Sequence, residues 1–152
     1  MAHVPGLRSP HDTVGGIVYF GRMLDKIRLH AAGQLPADYL DMIGDKVGVF
    51  DRRCCLFLNV NYTDISARTL LGGEDEEILQ WAFENGRKPS DEEIEIWNGF
   101  MTKRGWRDAA RERLIFRLNE AGFGTDCGVE TMFDYIDKDE GRPPHTYPGA
   151  AK

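Results

Sequence analysis

Short apolar stripes at three- and four-residue spacing, each cut off by glycine, constrain this chain more than any other feature. Ile17, Phe20, Leu24, Ile27 and Ala31 form the first stripe, and Gly33 follows it. That spacing places apolar side chains on one face of a helix, and a glycine just past the last turn accepts the left-handed geometry that stops it. The same grammar recurs in Ile78, Leu79, Trp81 and Ala82 before Gly86, and in Ala110, Leu114, Leu118 and Ala121 before Gly122. The expected fold is mainly α: a compact multi-helix single domain with an irregular N-terminal arm and a C-terminal tail.

The strongest local signal is Ser90-Asp91-Glu92-Glu93 after Pro89. Ser90 and Glu93 have capping-box spacing ahead of Ile94, Trp97, Phe100 and Met101. Lys103 and Arg104 stand at the other end, where they complement the helix dipole. Glu74 to Glu77 place four acids in the first turn of another helix, at the positive end of its dipole. A short helix is expected over 36–43, another from Thr63 or Asp64 to about Leu71, and a last one over 130–136. Asp51 suits a cap for a helix through Cys54, Cys55, Phe57 and Leu58, although the apolar residues on either side would also suit a strand. Pro5, Gly6, Pro10, Gly15 and Gly16 mark residues 1–16 as irregular. From Asp137 the chain is too poor in apolar residues to pack by itself. The expected division is therefore a helical domain over 1–136 and a tail over 137–152.

At 152 residues and 41% hydrophobic composition, one core suffices without metal or disulfides. Nineteen Lys and Arg stand against 25 Asp and Glu, for a net charge of −6. That average field repels phosphate backbones, so duplex DNA is not an expected partner. No apolar run is long enough for a membrane span, and the N-terminus lacks the apolar segment of a signal peptide. With three cysteines, an odd set, these features predict a cytoplasmic protein with free thiols.

The ordered set Arg-Ser-Pro (8–10), Gly-Gly (15–16), Arg-Met-Leu-Asp-Lys (22–26), Asp-Glu-Glu-Ile-Leu (75–79), Trp81 and Pro-Ser (89–90) resembles the bacterial domain-of-unknown-function family 5069. The resemblance spans almost the whole chain and implies a cytosolic helical protein. It carries over no catalytic residue.

Two groups of residues attract chemical attention. In Arg52-Arg53-Cys54-Cys55, adjacent guanidinium groups and a nearby helix start would favour thiolate; the bland alternative is one cysteine packed as a small hydrophobe and one partly exposed. Adjacent cysteines are poor chelators, so no metal is expected. In the arm, Arg8, Ser9, His11 and the pair Gly15-Gly16 precede a helix start, an arrangement suited to an anion. Arg22, Asp25, Lys26 and Arg28 read as a solvated helix face, with Asp25 and Lys26 as the residues that would line a pocket instead. His30 follows one turn later. Together these define an expected site: Cys54, Cys55, His11 and His30 for chemistry, and Arg8, Ser9, Gly15, Gly16, Asp25, Lys26 and Arg53 for holding a small anionic molecule. No cofactor is indicated, and binding is not separated from conversion. A protein-interaction module, including a homo-oligomer, is the alternative suggested by Trp81, Trp97, Trp106, Phe83, Phe100 and Phe116 and by the Pro-rich tail; a thiol-redox or metal-binding protein is the third.

Overall fold

A computed structural model describes residues 3–147. The first two residues and the last five of the expected tail lie outside the described residues. The order is hairpin, helix, 3-10 turn, then six more helices. Strands β1 (Thr13–Val14) and β2 (Ile17–Val18) pair antiparallel, Thr13 opposite Val18 and Val14 opposite Ile17. Gly15 and Gly16 make the turn between them with φ of 56° and 79°. Two positive φ values in succession are what a two-residue hairpin turn demands and what glycine supplies. The arm is thus partly regular, and the Gly-Gly pair closes a hairpin.

Helix α1 (Phe20–Ala31) runs through the middle of the molecule. It buries the expected apolar stripe, and also Arg22, Asp25 and Lys26. The solvated face predicted for these charges is instead covered by the N-terminal arm and by the chain from 37 onward. A 3-10 turn at Ala37–Met42 follows, then α2 (Phe50–Leu58) and α3 (Tyr62–Leu70). The Cys54-Cys55 segment is helical, but Val49 and not Asp51 is its N-cap. Asn61 caps α3, its side-chain oxygen accepting from the amides of Thr63 and Asp64.

Helices α4 (Asp75–Asn85) and α5 (Asp91–Lys103) both carry capping boxes, at Glu74 with Glu77 and at Ser90 with Glu93. Between them Gly86 passes against the end of α2. A Cβ there would lie 2.1 Å from the Leu58 carbonyl oxygen, so only glycine permits the approach that lets the Arg87 amide donate to that oxygen at 2.9 Å. Helices α6 (Arg111–Glu120) and α7 (Met132–Asp139) complete the domain.

The main core joins the hairpin, α1, α2, α3, α4 and α5 through Ile17, Phe20, Leu24, Leu58, Ile65, Ile78 and Met101, with Phe133 from α7. Phe57 stacks on Trp97 with ring centroids 4.5 Å apart. Of the aromatics noted in the sequence, Trp97 is buried, whereas Phe100, Trp106 and Phe116 are exposed. A separate cluster of Leu114, Leu118 and Tyr135 holds α6 to α7. Helix α7 continues past the predicted boundary at Asp137, and Glu140 behind it is 3% exposed. No helix among the described residues is long and apolar enough to cross a membrane.

Candidate functional site

Charged groups buried along α1 are answered one by one. The Lys26 ammonium lies 2.8 Å from an Asp51 carboxylate oxygen and donates to the Tyr19 hydroxyl at 2.6 Å and to the Met42 carbonyl at 2.9 Å. Tyr19 in turn donates to Asp51 at 2.6 Å, and the Gly44 amide donates to its other oxygen at 3.0 Å. Burial pushes the Lys26 ammonium below its ordinary range despite Asp51, and pushes the Tyr19 phenol well above its own. Tyr19 adopts φ 74° just before α1, a left-handed conformation uncommon for a bulky residue. Its hydrogen bonds to Asp51 and from Lys26 hold it there.

One turn away, Arg22 donates to both oxygens of Glu140, at 2.9 and 2.7 Å, and to the Arg8 carbonyl at 3.0 Å. Tyr39 and Arg142 also donate to Glu140. Burial alone would raise the Glu140 carboxyl, but these donors, Arg22 foremost, outweigh it and bring it to about 2. Arg8 is tied to Asp25 at 2.9 Å and to Asp75 at 2.7 Å, and Arg28 also pairs with Asp75.

The residues expected to form one site are therefore spread over several environments. Arg8 pairs with Asp25 and Asp75, and Lys26 with Asp51. Ser9 accepts a hydrogen bond from the His11 amide at 3.2 Å. Gly15 and Gly16 turn the hairpin, and the Gly16 carbonyl accepts from Asn98 of α5 at 2.8 Å. Arg53 lies over the Phe100 ring. His30 is exposed and lines a shallow cleft of about 460 Å³ with Leu40, Lys46 and Tyr62. Cys54 and Cys55 are buried in the main core. Burial pushes the Cys54 thiol well up and the Cys55 thiol to about 12, with Asp51 adding to both. Arg52 points instead to Asp45 and Arg53 to Phe100, so the expected thiolate stabilisation does not arise. In native protein at neutral pH, iodoacetamide is expected to label Cys127, which is partly exposed, and to reach Cys54 and Cys55 only after denaturation; peptide mass spectrometry checks this.

His11 is the arm residue that meets a cavity wall. It is buried, with Nε2 3.1 Å from an Asp134 oxygen and 4.0 Å from an Asp137 oxygen. Thr131 caps α7 by accepting from the Asp134 amide at 3.2 Å, which fixes Asp134 in the first turn beside His11. The Tyr147 hydroxyl donates to the same carboxylate at 2.9 Å. Burial alone would raise Asp134, but His11 and Tyr147 hold it below the usual carboxylate range. Asp134, His145 and Tyr147 line a cleft of about 510 Å³ between the end of α5, the 127–131 loop, α7 and the C-terminal arm. Its other walls carry Lys103, Trp106, Cys127 and Lys138.

In the sequence, Asp134 and Lys138 have no marked role, and Lys103 is marked only as a complement to the helix dipole. The spacing of Thr131 and Asp134 matches an N-cap signal, but nothing local ties that cap to His11. The described residues hold no group of three or more His, Cys, Asp or Glu side chains placed to bind a metal ion.

Hairpin, central helix and cleft define a small, mainly α domain stapled by buried ion pairs. A family model described as a domain of unknown function, DUF5069, matches residues 4–142, and the chain belongs to that family. A search of curated proteins finds no match.

Proposed function

We propose that this protein binds a small anionic molecule with a planar, apolar part in the cleft beside α7. The observation that carries this reading is the state of the two lysines on its lining. Among the described residues, neither Lys103 nor Lys138 is paired with a carboxylate; Lys138 rests over the Phe123 ring at 4.9 Å. The Asp134 carboxylate is already answered by His11 and Tyr147, which leaves Glu130 as the acid on the lining that opposes the two ammonium groups. Trp106, 43% exposed, lines the same cleft, with the Arg107 guanidinium over its ring at 5.0 Å. A pocket with apolar walls and a few convergent charges is the usual form of a small-ligand site. His11 lies behind the wall against Asp134, and His145 stands at its surface.

Phenyl phosphate tests the charge and the ring together, with phenol as the neutral control. In excess over its dissociation constant, phenyl phosphate is expected to raise the melting temperature by several degrees, since a tenfold excess corresponds to about 1.4 kcal/mol. Phenol is expected to leave it unchanged. The double variant Lys103→Ala with Lys138→Ala is expected to keep its fold and lose the shift. No shift in the parent protein, or an equal shift in the double variant, overturns the reading.

A further inference from the structure

The C-terminal arm supplies one wall of the cleft through Pro144, His145 and Tyr147. It is held by His11 of the N-terminal arm and by Asp134 of α7. The His145 ring lies flat on the His11 ring, centroids 3.7 Å apart and planes 2° from parallel. Tyr147 meets both imidazoles edge-on, at 5.6 Å and 4.8 Å, and its hydroxyl donates to Asp134. The far edge of His11 is closed by Phe133 at 5.2 Å.

We propose that the His11–His145 stack is a proton-operated latch: it closes the arm over the cleft while the two rings carry at most one proton, and releases the arm when both are protonated. This deepens the reading of the cleft as a binding site and rests on it for its purpose, although the latch itself is visible without a ligand.

The surroundings of the two rings differ. A proton on His11 faces Asp134 at 3.1 Å and Asp137 at 4.0 Å, both on α7. A cationic ring stacked on a neutral one is an attractive pair. A proton on His145 has no carboxylate within hydrogen-bond distance among the described residues. It feels Asp134, Asp137 and the arm's own Asp12 from farther away, against the charge on His11. Across the cleft Lys103 of α5 and Lys138 of α7 add positive charge, and Glu130 offsets part of it. Arg142, on the same C-terminal segment, is engaged by Asp137 and Glu140. Two imidazolium rings in face-to-face contact repel, and the carboxylates at close range answer His11 and not His145.

The direction of the pH effect follows from His145. Burial first, then His11, lower its proton affinity in the docked arm. A histidine released into water recovers its ordinary value of about 6.5. The free arm thus binds more protons than the docked arm, and docking is complete above about pH 7 and weakens as pH falls through that value. Release removes His145 and Tyr147 from the cleft wall, and takes from Asp134 the hydrogen bond that Tyr147 gives it.

Imidazole and tyrosine-ring NMR of the full chain, without ligand, tests the latch. Nuclear Overhauser contacts from His145 and Tyr147 to His11 are expected at about pH 8 and expected to vanish near pH 5, about 1.5 units below the ordinary histidine value. The Trp97 indole proton, which donates to the Val18 carbonyl, reports that the core is intact throughout. His145→Phe keeps a stacking ring that cannot be charged, so its Tyr147–His11 contact is expected to survive at the lower pH. Contacts that persist in the parent protein, or that His145→Phe loses with the same midpoint, overturn the proposal. Phenyl phosphate failing to bind would sink the ligand reading and leave these contacts as they are.

Discussion

Replacing Asp51 by alanine is expected to destabilise the protein by about 3–5 kcal/mol, the cost typical of removing one partner from a buried ion pair. Asp51 is fully buried, and it answers Lys26, Tyr19 and the Gly44 amide at once. Without it the Lys26 ammonium keeps only the Tyr19 hydroxyl and the Met42 carbonyl, neither of which carries a full charge. Tyr19 would also lose the anchor of its left-handed backbone. The double variant Lys26→Met with Asp51→Leu removes both charges together and is expected to sit closer to the parent than Asp51→Ala does. Urea unfolding of the three proteins at neutral pH gives the comparison. If Asp51→Ala unfolds at the parent midpoint, the ion pair contributes nothing to the fold.

The second large effect concerns acid. Glu140 titrates at about 2 in the folded protein against an ordinary value of 4.5. A folded value below the unfolded one means that the stabilisation is complete above about pH 5 and is lost as pH falls toward 2. The shift corresponds to roughly 3 kcal/mol at about 1.4 kcal/mol per unit. Glu140→Gln is expected to lower stability near neutrality by about that amount, because Arg22 then stays buried without its carboxylate, and to flatten the acid limb between about pH 5 and 3. Unfolding midpoints measured at several pH values separate the two. A variant whose acid limb runs parallel to that of the parent would show that Glu140 does not set it.

These two networks also mark the limit of what the chain reveals when read in one dimension. The capping box at Ser90 was legible because donor and acceptor lie within one turn, so spacing alone specifies the contact. The helix at 75–85 was legible through the acids of its first turn, whereas that at 50–58 fitted a strand as well and its cap is Val49 rather than Asp51. Asp51 was not: a carboxylate near a helix start fits a cap, and nothing local says that it turns inward to meet a lysine on α1. Lys26 and Asp25 shared the same ambiguity, since a helix that is central is covered on its polar side as well, and only the tertiary fold decides that. Glu140 sits in a stretch whose apolar content argues for a tail, yet Arg22, Tyr39 and Arg142 hold it by charge and hydrogen bonding. For the candidate site, His11 was identifiable as a titratable residue in a Gly- and Pro-rich arm. Its partners Asp134, His145 and Tyr147 lie at the far end of the chain, beyond any local signal. The vicinal cysteines drew attention by composition, whereas their helix turns both into the core.

Arg142 donates to the Leu7 carbonyl across a separation of 135 residues, and Arg22 finds Glu140 across 118. Tyr39 likewise reaches Glu140 across 101 residues. During synthesis, when domains assemble from the N-terminal side, α1 emerges early with a guanidinium for which no carboxylate has yet been made. The central helix cannot be sealed until the chain has been translated past Glu140. A nascent chain lacking that stretch holds an open, charged seam down its middle, which ties closure of the fold to the emergence of Glu140 and Arg142.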